Sequence, residues 1–171
     1  MDAHQIALSQ SITELSNTLA NVGSIAENLK KLNEELKIPE GYTVEKDRIV
    51  LELAGWKLSL SESMPCGIYT SAVKELKIGR ASYRLSMGIY PRMISIPSIT
   101  NVRTGRPMPA HKTYGYPEIQ QSRKELDEAL KANPEILENA KAAARIVVKR
   151  AELERQIHAL NEGIWRLTKK S

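Results

Sequence analysis

The sequence predicts an α+β fold in which long amino- and carboxyl-terminal helices, coiled-coil-like, flank a small antiparallel sheet of about four to five strands. Three observations predict it. Apolar residues recur at alternating spacings of four and three near both ends, they recur at a spacing of two through the middle, and glycine or proline marks each change of period.

The amino segment, residues 3–37, carries Leu8, Ile12, Leu15, Leu19, Val22, Ala26, Leu29, Asn33 and Leu36 in a heptad row. Four repeats of that spacing point to a coiled coil or a long helix docked by a narrow stripe. Asn33 falls at a d-like position, where a buried amide can set register or an exposed one can mark a fraying end. "IPEG", Ile38 to Gly41, ends the helix, because proline disfavours helical geometry in the residue before it.

Residues 42–116 form the β unit. Ile49, Leu51 and Leu53 alternate with Val50 and Glu52, Ala54-Gly55 turns, and Trp56, Leu58 and Leu60 alternate with Lys57, Ser59 and Ser61. A second pair runs over residues 73–78 and 81–87, joined by Gly79-Arg80. It aims Ala81, Tyr83, Leu85 and Met87 inward, and Ser82, Arg84 and Ser86 outward. "GIYPRMISIP" continues extended, and its prolines confine it to a sheet edge. Residues 97–117 have no period and read as one long loop, longer than a compact domain usually holds without a reason.

The carboxyl helices occupy residues 117–170. Pro117-Glu118 opens the first, Asn133-Pro134-Glu135 caps and restarts the second, and Ile146, Leu153, Ile157, Leu160, Ile164 and Leu167 continue it as a second heptad row interrupted by Arg150. The two rows predict a homo-oligomer, a dimer by preference, assembled through Leu8, Ile12, Leu15, Leu19, Val22 and Leu29 with the carboxyl row.

With 171 residues, 42% hydrophobic and 26% charged, the chain can bury a full core. It has no phenylalanine, so Leu, Ile, Val, Met and Ala must build that core. The single cysteine, Cys66, leaves no internal disulfide and fits a reducing, cytoplasmic compartment. No apolar run is long enough to span a bilayer, and the amino end lacks a basic stretch before an apolar block, so a soluble, unprocessed chain with no membrane partner is expected.

Net charge is +5, but its distribution carries the information. Residues 1–63 sum to −4 and 117–171 to +2, whereas residues 64–116 sum to +7, with Glu75 their one acid. Five of the six tyrosines lie in the same segment. Arg and Lys neutralise phosphates and release counterions, while tyrosine rings can stack on exposed bases. The expected binding residues are therefore Arg80, Arg84, Arg92, Arg103, Arg106, His111, Lys112, Tyr114 and Tyr116. Lys57 and Ser59 join the surface if they share the outward face of Ser82 and Arg84.

Sharper chemistries find less support. His4, His111 and His158 are isolated, with no HExxH, no CxxC and no acidic pair at metal spacing, and no phosphate loop follows any strand. No metal and no cofactor are expected. A Cys66–His111 pair is conceivable, yet a small buried cysteine at a turn is the simpler account. The expectation is a non-enzymatic protein binding DNA or RNA. An adaptor or inhibitor that meets an acidic protein surface through the same loop is the alternative. A metal-independent ribonuclease using His111, Arg103, Arg106 and Tyr114 is the second.

Overall fold

Period-two apolar patterning between glycine-containing turns produces the expected sheet, with more strands than the pattern alone distinguishes. The structure, a computed structural model, describes residues 3–63, 67–90, 93–94, 98–109, 112 and 115–169. In chain order the elements are α1 (Ala3–Glu35), β1 (Tyr42–Glu45), β2 (Arg48–Leu53), β3 (Trp56–Ser63), β4 (Gly67–Ile78), β5 (Ala81–Tyr90), β6 (Met93–Ile94), β7 (Ser98–Asn101), α2 (Pro117–Ala132) and α3 (Ile136–Lys169). The chain is α+β, and the seven strands among the described residues form one antiparallel sheet.

Strands β1 to β5 make a meander, each paired with the next. The free edge of β5 is then shared. β6 pairs with its end, at Ile89 and Tyr90, and β7 pairs with Tyr83 to Ser86. Part of the expected loop is thus a strand: Ser98–Asn101 completes the sheet by using backbone groups that β5 would otherwise leave open.

Turn chemistry sets the register. Ala54 and Gly55 have φ of +50° and +73°, the two left-handed residues of a type I′ hairpin turn. Gly79 alone is left-handed in the β4–β5 hairpin, at φ +61°, as a type II′ turn requires of its first central residue.

Two compact units emerge. One runs Lys37–Val148 and the other gathers α1, Leu36 and α3 from Lys149 onward. In the first, register places Tyr42, Ile49, Leu51, Trp56, Leu58, Leu60, Ala72, Leu85, Met87 and Ile99 on one face of the sheet, and all are buried. Burying each large side chain contributes about 1.5–3 kcal/mol. On α2, Ile119, Ser122 and Leu126 are buried, and the Trp56 indole N–H donates to the Ser122 carbonyl at 3.0 Å. Early α3 contributes Ala140, Ala143, Ala144 and Val147, a small-residue stripe that permits close approach, and the Tyr42 hydroxyl donates to the Ile136 carbonyl.

The helical unit pairs Asn33 with Arg150, whose guanidinium donates to the Asn33 side-chain oxygen at 3.4 Å. Asn33 is exposed and not a buried register-setter. The half-covered row on α1 is Leu15, Thr18, Val22, Ile25, Leu29, Leu32 and Leu36, and on α3 it is Arg150, Leu153, Ile157, Leu160, Ile164 and Leu167. Both rows alternate by three and four. They lead away from the Asn33–Arg150 contact in opposite chain directions, the pattern an antiparallel pair would show. Ile146 is half-buried in the other unit. Leu8, Ile12 and Leu19, expected in the seam, stand 54%, 59% and 54% exposed.

Candidate nucleic-acid interface

Two turns at one end of the sheet build the candidate site. β3 pairs with β4 only up to Val73, so the β4–β5 hairpin projects past it, closing through Leu76–Tyr83, Lys77–Ser82 and Ile78–Ala81. β7 lies along the other side of β5, and the Val102 amide extends that contact by donating to the Ser82 carbonyl at 2.9 Å.

The segment after β7 is an ordered turn. The Asn101 side-chain oxygen accepts from the amides of Arg103 (3.0 Å) and Thr104 (2.9 Å). The Gly105 amide donates to the Asn101 carbonyl at 2.9 Å, and the Asn101 amide donates to the Arg106 carbonyl at 2.9 Å. Gly105 takes φ +66°, which an L-residue adopts only with strain. A Thr100–Pro107 bridge closes the base. Asparagine is suited to such a turn because its short amide can bond the backbone two and three residues on.

Lys77, Arg80, Arg103 and Arg106 are thereby carried on three adjacent strands and their turns at one sheet end, and all four are exposed. Neighbouring strands lie about 4.8 Å apart, so the group spans on the order of 10 Å, comparable to a Debye length of about 8 Å at physiological salt. Their fields therefore add. Among the described residues, no ion pair joins any of the four to a carboxylate. Val102 stands among them, 45% exposed.

The outer sheet face behaves differently from the tip. Lys57 and Ser59 do share it with Ser82 and Arg84, along with Ser61, Ser71, Ser86 and Thr100. It is rich in hydroxyls, as expected. Away from the tip, however, its cations Lys57 and Arg84 are matched: the Lys57 ammonium is 2.9 Å from a Glu45 carboxylate oxygen, and the Arg84 guanidinium is 2.7 Å from Glu75. Arg84 therefore belongs to a cross-strand pair. Its partner is nine positions away in sequence, and only the register brings Glu75 opposite Arg84.

Of the other expected residues, Lys112 is exposed and Tyr116 is half-buried at the start of α2, where its backbone carbonyl accepts from the Ile119 amide at 3.1 Å. No hydrogen bond or ion pair between described residues ties either to the tip. Tyr83 lies on the inner face opposite Leu76 and beside Asn101, half-buried. Arg92, His111, Tyr114 and Cys66 lie outside the described residues. Lys77 is the residue that sequence reasoning passed over. The available signal was its place two residues before the Gly79 turn, on the outward side of the strand.

Among the described residues no group of three His, Cys, Asp or Glu side chains could hold a metal ion, and no helix is long and apolar enough to cross a membrane. The site offers guanidinium and ammonium donors on a rigid turn scaffold, which suits bidentate contact with phosphate or carboxylate oxygens. Comparison of the chain with protein-family models, with curated proteins and with solved structures returned no match.

Proposed function

We propose that this chain is a non-enzymatic, oligomeric binding protein that grips the phosphate backbone of nucleic acid with the basic finger formed by the β4–β5 hairpin and the turn after β7. The observation that carries the reading is the convergence of Lys77, Arg80, Arg103 and Arg106, exposed and without acidic partners among the described residues, on an ordered scaffold. Phosphate contacts of this kind supply affinity and position without selecting sequence. A homo-oligomer formed through the helical unit, with a dimer favoured, places two fingers in one particle and multiplies weak contacts through effective concentration.

Fluorescence anisotropy with duplex and single-stranded DNA and RNA between about 50 and 200 mM salt tests the reading. Four phosphate contacts give a log–log salt slope of about −3.6 on duplex, or roughly a hundredfold loss of affinity across that range. Undetectable binding at the low-salt end sinks the proposal. Cleavage of the RNA, abolished by His111→Ala, replaces it with the ribonuclease. Val102, exposed among the arginines, supports one other reading, an acidic protein surface with an apolar centre. Affinity for such a partner would depend on Val102, which backbone phosphates would not sense.

A further inference from the structure

Ile6, Leu8, Ile12 and Leu19 on the amino half of α1 are 42–59% exposed. At 100° per residue Leu8, Ile12 and Leu19 fall on one side of the helix and make a patch on the order of a few hundred Å², the scale that marks interaction surfaces, while Ile6 faces away from them. Helix length explains why Ile6, Leu8 and Ile12 lack cover, whereas Leu19 lies further along α1, on the flank of the covered row. From the Asn33–Arg150 contact, eighteen residues lead back along α1 to Leu15 and seventeen lead forward along α3 to Leu167. At 1.5 Å per residue both distances are about 26 Å. In an antiparallel pair set by that contact, α3 runs out where the covered row of α1 begins, which leaves the first three turns of α1 beyond it.

That overhang is poorly suited to standing alone in water. A free helix of about twelve residues is marginal even with good helix formers, and this one holds Ser9, Ser11 and Thr13. Its surface is also unusual in charge. From Ala3 to Ala26 the only Asp, Glu, Lys or Arg is Glu14, whereas the exposed face of a solvated helix is ordinarily charged. Its hydroxyls turn inward to the backbone: Ser11 donates to the Ala7 carbonyl at 3.0 Å, Thr13 to Ser9 at 2.9 Å and Thr18 to Glu14 at 2.8 Å. Such bonds satisfy the donors within the helix and leave a small, uncharged profile for a close neighbour.

The same features choose among occupants. A nucleic acid or an acidic protein would call for cations, and a helix lying on a bilayer carries Lys or Arg along its polar face. A second copy calls for neither. Around a two-fold axis each residue near the axis meets its own counterpart, so any charge there faces a like charge, and a strip almost free of charge avoids that repulsion. The exposed flank is also continuous with the existing seam. At 100° per residue, Leu8, Ile12 and Leu19 lie on the side of α1 next to Leu15 and Val22.

We propose that the amino half of α1 is the self-association surface, and that a second copy of this chain seats its own Leu8, Ile12 and Leu19 against it, joining two helical hairpins into a four-helix arrangement. This locates the oligomer assumed in the functional reading, and it rests on that part of the reading alone.

The test is the solution mass of the full chain by sedimentation velocity across the micromolar range. Wild type is expected at twice the chain mass. Ile12→Glu with Leu19→Glu is expected at the chain mass, with thermal unfolding of the sheet unchanged. Should the glutamates melt helix beyond α1 by circular dichroism, Leu8→Ala with Ile12→Ala and Leu19→Ala decides, with at least a tenfold weaker dimer expected. A monomeric wild type, or a glutamate variant that keeps the wild-type mass, overturns the proposal. Salt-dependent anisotropy, read on the same samples, reports the finger separately, so loss of either property leaves the other measurable.

Discussion

Lys74 and the finger cations sit on the same β4–β5 hairpin region and are treated in opposite ways. Lys74 points to the inner face, with its side chain 16% exposed. Its ammonium donates to the Ala54 carbonyl at 3.3 Å, lies 3.8 Å from a Glu125 oxygen and stands 5.9 Å from the centre of the Trp56 ring. It therefore ties α2 and the β2–β3 turn to the sheet. Lys77, Arg80, Arg103 and Arg106, only strands or turns away, have no acidic partner among the described residues. A positive charge surrounded by partners does structural work, because its field is consumed locally. One held out by an ordered turn without partners keeps its field for something else.

The largest expected effect breaks that distinction at the tip. Arg80→Ala, Arg103→Ala and Arg106→Ala combined should weaken duplex binding on the order of a thousandfold at about 50 mM salt and flatten the slope by about 2.7. The midpoint of urea unfolding should not move. Lys74→Ala should do the reverse, destabilising the chain by about 2 kcal/mol through the lost hydrogen bond, cation–π contact and stem packing, with the salt slope intact. If Lys74→Ala changed the slope instead, the division between the two kinds of cation would be wrong.

Tyr42 extends the comparison to a neutral group. Burial pushes its phenol above the ordinary 10.0, and its hydroxyl is bonded to the Ile136 carbonyl. Tyr42→Phe should cost about 1 kcal/mol at neutral pH. The sign of the pH effect follows from the raised value: the folded state favours the protonated phenol, so its contribution is complete below pH 10.0 and is lost as pH rises through the higher folded value. Urea titrations should show that part of the alkaline loss in wild type and not in Tyr42→Phe. Smallest of all, Arg84→Ala should lower stability by less than about 1 kcal/mol, as an exposed pair does, and should weaken binding far less than removal of Arg103.

Much of this architecture was legible because its signals are local. Ala54-Gly55 and Gly79-Arg80 announce hairpins by themselves, and Pro117 and Asn133-Pro134 bracket helices by themselves. β7 was not legible, since four residues between prolines become a strand only when β5 offers a free edge. The seam of α1 was legible in half. Leu15, Val22, Leu29 and Leu36 belong equally to a row completed by Leu19, Ala26 and Asn33 and to one completed by Thr18, Ile25 and Leu32. Only the position of α3 selects the second. Arg103 and Arg106 could be named from charge and turn composition, but Arg84 could not be set aside without the strand register that supplies Glu75.

The turn from Asn101 to Arg106 has one more consequence. Apart from the bond of the Val102 amide to the Ser82 carbonyl, its hydrogen bonds close within itself and at the Thr100–Pro107 bridge, and its side chains lie outside the apolar core. A segment anchored in this way at its base, with a solvent-facing tip, tolerates exchange and insertion. The sheet is thus a stand on which the gripping surface can be recut, lengthened or given different side chains while Trp56, Leu58 and Leu85 in its core stay as they are.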